Sequence, residues 1–444
     1  MRAVSNDGPA RLAIVIPVAI GSFFYLSIIE YALPLFFSAL SEAASAKGEM
    51  YPRDIWSTLT VYKVTPFVIG PTLSGLLARR YGERMVWCYS LLGQAIVPVM
   101  LILDPDPVMI RLLALWMGFT GALMWAAGIS LVQMVPPEKK GLSNGWMMAS
   151  TGIGSLAGPI VGRLLLLGGE LKDLVADGRS SDAWGRMFGF QQTETIQKVT
   201  DFDSIFWLLT TTTVISAILV GLWGQRPGRF DQHDRRDWSR TVKDLGLLFK
   251  NDKFWGIVIP LSFLGGPIFQ SVNQFLPFRA EDLGLKDGSR DNGWIWLQFL
   301  KTLMWLIGGA GVGLLAGRRA PGIAVVLVLG SFGLAAFSIG GASVGWHLFL
   351  SVAAFEFVRQ FMRWSQTGYL SEHLPAELRP TAIGVAITFS GIGAATFGWC
   401  AGLAWDPVQQ SSSALYFASA LSIVGVTGLF IYDRLRPIRD DRET

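Results

Sequence analysis

The chain has 444 residues, of which 51% are hydrophobic and only 16% charged, and its mean hydropathy is +0.42. Soluble domains carry roughly 25% charge, so a set of water-soluble domains is excluded and a membrane protein is expected. The net charge of +4 comes from arginines and lysines at the ends of apolar segments and in short loops, which excludes a basic nucleic-acid-binding face. Cys88 and Cys400 fall in separate apolar stretches and offer neither a disulfide framework nor a metal site, and no cofactor is expected.

The polar leader MRAVSNDGPAR precedes a long apolar stretch without a small-residue cleavage site, so the first helix is expected to be retained. Spans are predicted over 12–38, 55–77, 85–103, 109–133, 143–167 and 204–225. A basic linker, 226–253, separates them from spans over 254–278, 292–316, 321–341, 345–370, 380–403 and 413–432. Each holds about twenty residues or more, enough at about 1.5 Å per residue to cross roughly 30 Å of hydrocarbon. The bias of Lys and Arg places both termini and the linker in the cytoplasm, and the basic inner loops fit a bacterial inner membrane. The long outer connection, 168–203, is expected to form a short surface helix or a cap.

The chain repeats itself. A shift of 238 superposes Lys63 on Lys301, Ile69-Gly70 on Ile307-Gly308, and Gly75-Leu-Leu-Ala78 on Gly313-Leu-Leu-Ala316. Shifts of 243 and 239 match Ile16-Pro17 with Ile259-Pro260 and Gly152-Ile-Gly154 with Gly391-Ile-Gly393. Three matches at nearly one offset indicate a duplicated six-helix unit. The predicted domains are therefore a bundle over 1–225, the linker over 226–253, and a second bundle over 254–444.

The loop after the second span reads Gly75-Leu-Leu-Ala-Arg79-Arg80-Tyr-Gly82-Glu-Arg84. It resembles the G-x-x-x-D-R-x-G-R-R loop of the major facilitator superfamily, with Arg79 replacing the acid that latches neighbouring helices in that family. The copy after span eight, Gly313 to Arg318, also lacks the acid. Gly154, Gly158, Pro159 and Gly162 resemble the family's antiporter motif, with Arg163 replacing its last glycine; close helix packing explains the same small residues without antiport. Ala114 stands where the family's drug exporters carry an arginine. The resemblance covers nearly the whole chain. It implies an all-α polytopic fold with twelve transmembrane helices in two pseudo-symmetric six-helix bundles. It also implies secondary transport by alternating access, commonly by a monomer.

Ionisable residues inside the spans each cost roughly 3 kcal/mol to insert. Glu30, Lys63 and Lys301 are predicted at one depth, about 12 Å below the outer surface, with Glu30 pairing with Lys63 when the site is empty. Glu356, Arg359 and Arg363 share one face of span ten. The bland alternatives are snorkelling lysines and a static Glu356–Arg359 pair. Lys63 and Lys301, helped by Arg359, are expected to bind an anionic group of a substrate, Asn273, Gln270 and Gln274 to bind its polar remainder, and Tyr31, Tyr62, Trp305 and Trp364 to wall the cavity. An acidic residue at this depth resembles the proton-binding carboxylate of the family's symporters. The expectation is proton-coupled symport of a small anionic or polar metabolite, with Glu30 and Glu356 as proton carriers and sodium as the alternative ion. Drug or metabolite efflux by proton antiport is a second reading. A non-transporting receptor on the same fold, with 168–203 as its partner surface, is a third. No nucleophile triad, paired carboxylates or metal cluster suggests an enzyme.

Overall fold

The computed structural model describes residues 8–47, 55–103, 105–133, 137–177, 179, 181–182, 186, 198–223, 246–250, 254–315, 322–373, 378–406 and 410–435. Within these ranges the chain is helical except for one small hairpin. The helices are α1 (Gly8–Ala46), α2 (Ile55–Val64), α3 (Gly70–Tyr81), α4 (Glu83–Leu101), α5 (Pro107–Gln133), α6 (Pro137–Leu166), α7 (Gly168–Ala176) and α8 (Asp203–Trp223). They continue with α9 (Ile259–Asp282), α10 (Trp294–Leu315), α11 (Gly322–Gly340), α12 (Gly345–His373), α13 (Arg379–Ala404) and α14 (Ser411–Leu435). Between α9 and α10, β1 (Lys286–Asp287) pairs antiparallel with β2 (Arg290–Asp291). The turn contains Gly288 at φ 55°, a conformation that costs glycine nothing.

Among the described residues, eight helices are long and apolar enough to cross a membrane, or nine if a bent pair counts as one span. The protein is an all-α polytopic membrane protein. The bent pair lies in predicted span 55–77. That stretch is not one helix: α2 ends at Val64, a 3₁₀ turn covers Thr65–Val68, and α3 leaves at 42°. Pro66 and Pro71 explain the break, because each lacks the N–H that would continue the helical ladder. Lys63 thereby occupies the last turn of α2, beside the break.

Helices from the two copies of the sequence repeat pack on one another, α6 against α10 and α3 against α13. Thr72 and Thr388 share a 2.8 Å hydrogen bond across the second pair. Within the first half, α6 lies along α1, where a Cβ added to Gly154 would collide with the Ile20 carbonyl. On the other side a Cβ on Gly118 would strike the Lys63 carbonyl, so α5 reaches the α2 break only because Gly118 has no side chain. Close packing thus accounts for Gly154 and, equally, for Gly158 and Gly162, whose added Cβ atoms would meet Ser27 and Tyr31. Gly154→Leu is expected to lower stability by about 1–3 kcal/mol through overpacking, read as an earlier melting transition in detergent.

Most of the linker 226–253 lies outside the described residues, as do Arg318 and, in the outer connection 168–203, residues 178, 180, 183–185 and 187–197. In 168–203 the described parts include α7 and a 3₁₀ turn at Val199–Phe202. The side chains of Arg79, Arg80, Arg363 and Trp364 are likewise outside the described set.

Candidate functional site

A cavity of about 290 Å³ lies at the centre of the bundle. Its charged and amide-bearing wall comes from α1 with Glu30, α2 with Lys63, α4 with Gln94, α9 with Gln270 and Asn273, α10 with Gln298 and Lys301, and α12 with Arg359. Phe67, Met117, Trp125, Phe269, Trp305 and Phe332 supply apolar walls.

The charges form a chain. Lys301 Nζ donates to Glu30 Oε2 at 2.6 Å and stands 4.0 Å from Glu356 Oε1. Arg359 donates to both Glu356 oxygens at 3.0 and 3.1 Å. Its guanidinium also stacks over Phe269 and Trp305, at 4.1 and 4.9 Å from the ring centroids, a cation–π arrangement. Glu356 is almost fully buried and reaches the cavity only through its two cationic partners.

Glu30 therefore pairs with Lys301, not with Lys63 as equal depth suggested. Depth along a helix says nothing about azimuth, and the bend after Val64 ends the helix that would have aimed Lys63. Lys63 lines the cavity within electrostatic range of Glu30, Lys301 and Arg359. Among the described residues it is the cavity cation with no hydrogen bond or ion pair. Three cations (Lys63, Lys301, Arg359) face two carboxylates (Glu30, Glu356), leaving one positive charge in excess.

Several expected site residues sit elsewhere. Tyr31 does not wall the cavity; it is fully buried and its hydroxyl donates to Asp291 Oδ2 at 2.8 Å. Gln274 faces α2, donating to Ser57 Oγ at 2.7 Å and lying 3.4 Å from the Gln270 amide. Tyr62 packs edge-on against Trp399. Trp305 does line the cavity. Gln94 and Gln298 were not anticipated there; an uncharged amide in an apolar helix is the weak signal that marks them.

A second polar cluster closes the hairpin end. Arg163, buried in α6, forms an ion pair with the equally buried Asp291 of β2. It also donates to the Arg186 carbonyl at 2.7 and 2.9 Å. Asp291 Oδ1 accepts from the backbone N–H groups of Gly293 and Ile295 at 3.1 and 3.2 Å, capping α10. Trp294 Nε1 donates to the Tyr31 carbonyl at 3.1 Å, and the Ser289 backbone and hydroxyl both donate to Glu42. Through these contacts the hairpin is fastened to α1 and α6.

A family model described as Major Facilitator Superfamily matches residues 15–398. The class C tetracycline resistance protein of Escherichia coli is 33% identical over 107 residues, 24% of this chain and 27% of that protein. The aligned stretch thus spans about a quarter of that relative. The fold is similar to the human organic anion transporter MFSD10, with TM-score 0.64, 13% identity, and coverage of 96% of this chain and all of that one. It is also similar to the E. coli fucose:proton symporter FucP, with TM-score 0.60, 12% identity, and coverage of 94% and 98%. A family match over most of the chain, on a helical bundle around a charged central cavity, means that the chain belongs to the major facilitator superfamily and is a secondary transporter, not an enzyme.

Proposed function

We propose that the protein carries a small organic anion by proton-coupled symport. The observation that carries this reading is Lys63: a cation lining a mostly apolar cavity, with no hydrogen bond or ion pair among the described residues, in a site with one positive charge in excess. Buried unpaired charge is costly, and an arriving carboxylate relieves it. The proposed architecture is twelve spans in two six-helix halves, 1–225 and 254–444, joined by a cytoplasmic linker over 226–253. Both termini are cytoplasmic, the hairpin end faces outward, and the monomer in the inner membrane is the working unit.

Glu30 supplies the coupling. As a carboxylate it engages Lys301 at 2.6 Å. Protonation cancels that attraction and leaves Lys301 held by Glu356, its more distant neighbour. The cavity then presents two available cations in place of one, so the protonated state binds the anion more tightly. The halves rock along their α6–α10 and α3–α13 seams, and deprotonation of Glu30 on the other side restores the Lys301 pair and expels the anion. Gln270, Asn273 and Gln298 orient the polar remainder of the substrate, and sodium is the alternative coupling ion.

The test is binding to purified protein of aromatic and aliphatic carboxylates, neutral sugars and organic cations. Lys63→Met is expected to weaken carboxylate binding roughly ten- to hundredfold, the worth of one charge-assisted hydrogen bond. It should leave the folded bundle intact. Preference for cations or neutral compounds, unchanged in Lys63→Met, would overturn the reading. A second reading, proton-driven export of a drug or metabolite, is favoured by the partial similarity to a tetracycline resistance protein. It predicts proton-driven accumulation of the compound inside everted vesicles that requires both Glu30 and Glu356.

A further inference from the structure

Lys63 borders more than the central cavity. A second, smaller pocket of about 30 Å³ opens between α1, α2, α4 and α5, and Trp56, Thr60, Lys63 and Met117 line both spaces. Beyond those shared residues its wall is wholly aliphatic or aromatic, with Leu33 and Phe37 of α1, Val97 of α4, and Leu113 and Ala114 of α5 among its residues. Thr60, the hydroxyl on the shared wall, donates to the Ser57 carbonyl at 2.8 Å, so the side pocket offers a polar guest almost nothing beyond Lys63.

Resting on the anion reading above, we infer that this side pocket is a tail subsite and that the substrate is an amphipathic monoanion. Its carboxylate meets Lys63, its body lies in the central cavity, and a short unbranched alkyl end enters between α4 and α5. One carboxylate matches the single excess positive charge; a dianion would leave the cavity negative. About 30 Å³ holds roughly two water-sized groups, so the pocket accepts the end of a chain and rejects a bulky ring. Ala114 is the narrowing residue: any larger side chain there projects into the pocket from α5. Leu113, its neighbour in the wall, takes up space there that a smaller side chain would free.

The experiment measures affinity for acetate, butanoate, hexanoate and octanoate, and for the ω-hydroxylated hexanoate, with full-length protein in nanodiscs. In the parent, affinity should rise roughly fourfold per methylene until the pocket is full and then fall. The ω-hydroxyl should weaken binding at least tenfold, because it would be buried unpaired. Ala114→Leu should move the optimum to a shorter chain, and Leu113→Ala to a longer one, so a folding failure in either variant leaves the other decisive. Carboxylates that bind through Lys63 with no dependence on chain length overturn the tail subsite and leave the anion reading standing. So does an optimum that neither substitution moves. No carboxylate binding at all overturns both.

Discussion

Lys301→Met is expected to be the most damaging single substitution in the cavity. It leaves Glu30 without its 2.6 Å partner and removes the second cation near Glu356. Deleting one member of a fully buried pair costs about 3–5 kcal/mol; Glu30 is 22% exposed and stays within electrostatic range of Lys63, so the loss here should lie below that range. The melting transition should fall and transport should cease. Glu30→Gln in the same chain should recover most of the stability, because the orphaned charge is gone, but not the coupling. A double-mutant cycle over Glu30 and Lys301 should therefore return a coupling energy of at least about 1 kcal/mol. An additive cycle would mean that the pair is incidental. Lys63→Met should behave oppositely, with normal or raised stability and anion binding weakened roughly ten- to hundredfold. The two lysines that superpose in the internal repeat thus hold different offices, one bound into the charge chain and one open to the substrate.

That contrast marks how far the sequence could be read. The repeat placed Lys63 and Lys301 in equivalent positions, and both do line the cavity with Glu30, Gln270, Asn273 and Arg359. Glu356 and Arg359 pair as their i, i+3 spacing suggests. Partner choice was out of reach, because the break at 65–69, set by Pro66 and Pro71, turns α3 away from α2 and no helical period carries across it. Tyr31 follows Glu30, yet one residue rotates a helical side chain by about 100°, which sends the phenol to Asp291 and not into the cavity. Asp291 itself precedes the predicted span 292–316 and reads as an ordinary loop acid. Only the hairpin folding back on α1 brings it to Arg163, so that no local pattern in the chain marks the pair.

The latch at the hairpin end is expected to set which side of the transporter is open. Arg163 and Asp291 are both buried, at 1% and 0% exposure, and they join α6 to the hairpin across the boundary between the halves. Asp291→Asn leaves one amide oxygen to accept from Gly293 and Ile295 but removes the countercharge, so Arg163 is left without its carboxylate in a buried site. Opening that end to water is its escape, worth up to the several kcal/mol that a buried lone ion costs. Nitroxide labels at Ser45, exposed near the end of α1, and Asp287, exposed on the hairpin, should report a longer separation in Asp291→Asn than in the parent. Both labelled chains would carry serine at Cys88 and Cys400. Tyr31→Phe deletes one hydrogen bond to the same carboxylate and should shift the population less, by about 0.5–1.5 kcal/mol. The exchanged pair, Arg163→Asp with Asp291→Arg, should move the distance back toward the parent value if charge is what holds the end shut. Distances unchanged in Asp291→Asn, with transport retained, would make Arg163–Asp291 a static strut and move control of access to the α6–α10 and α3–α13 seams.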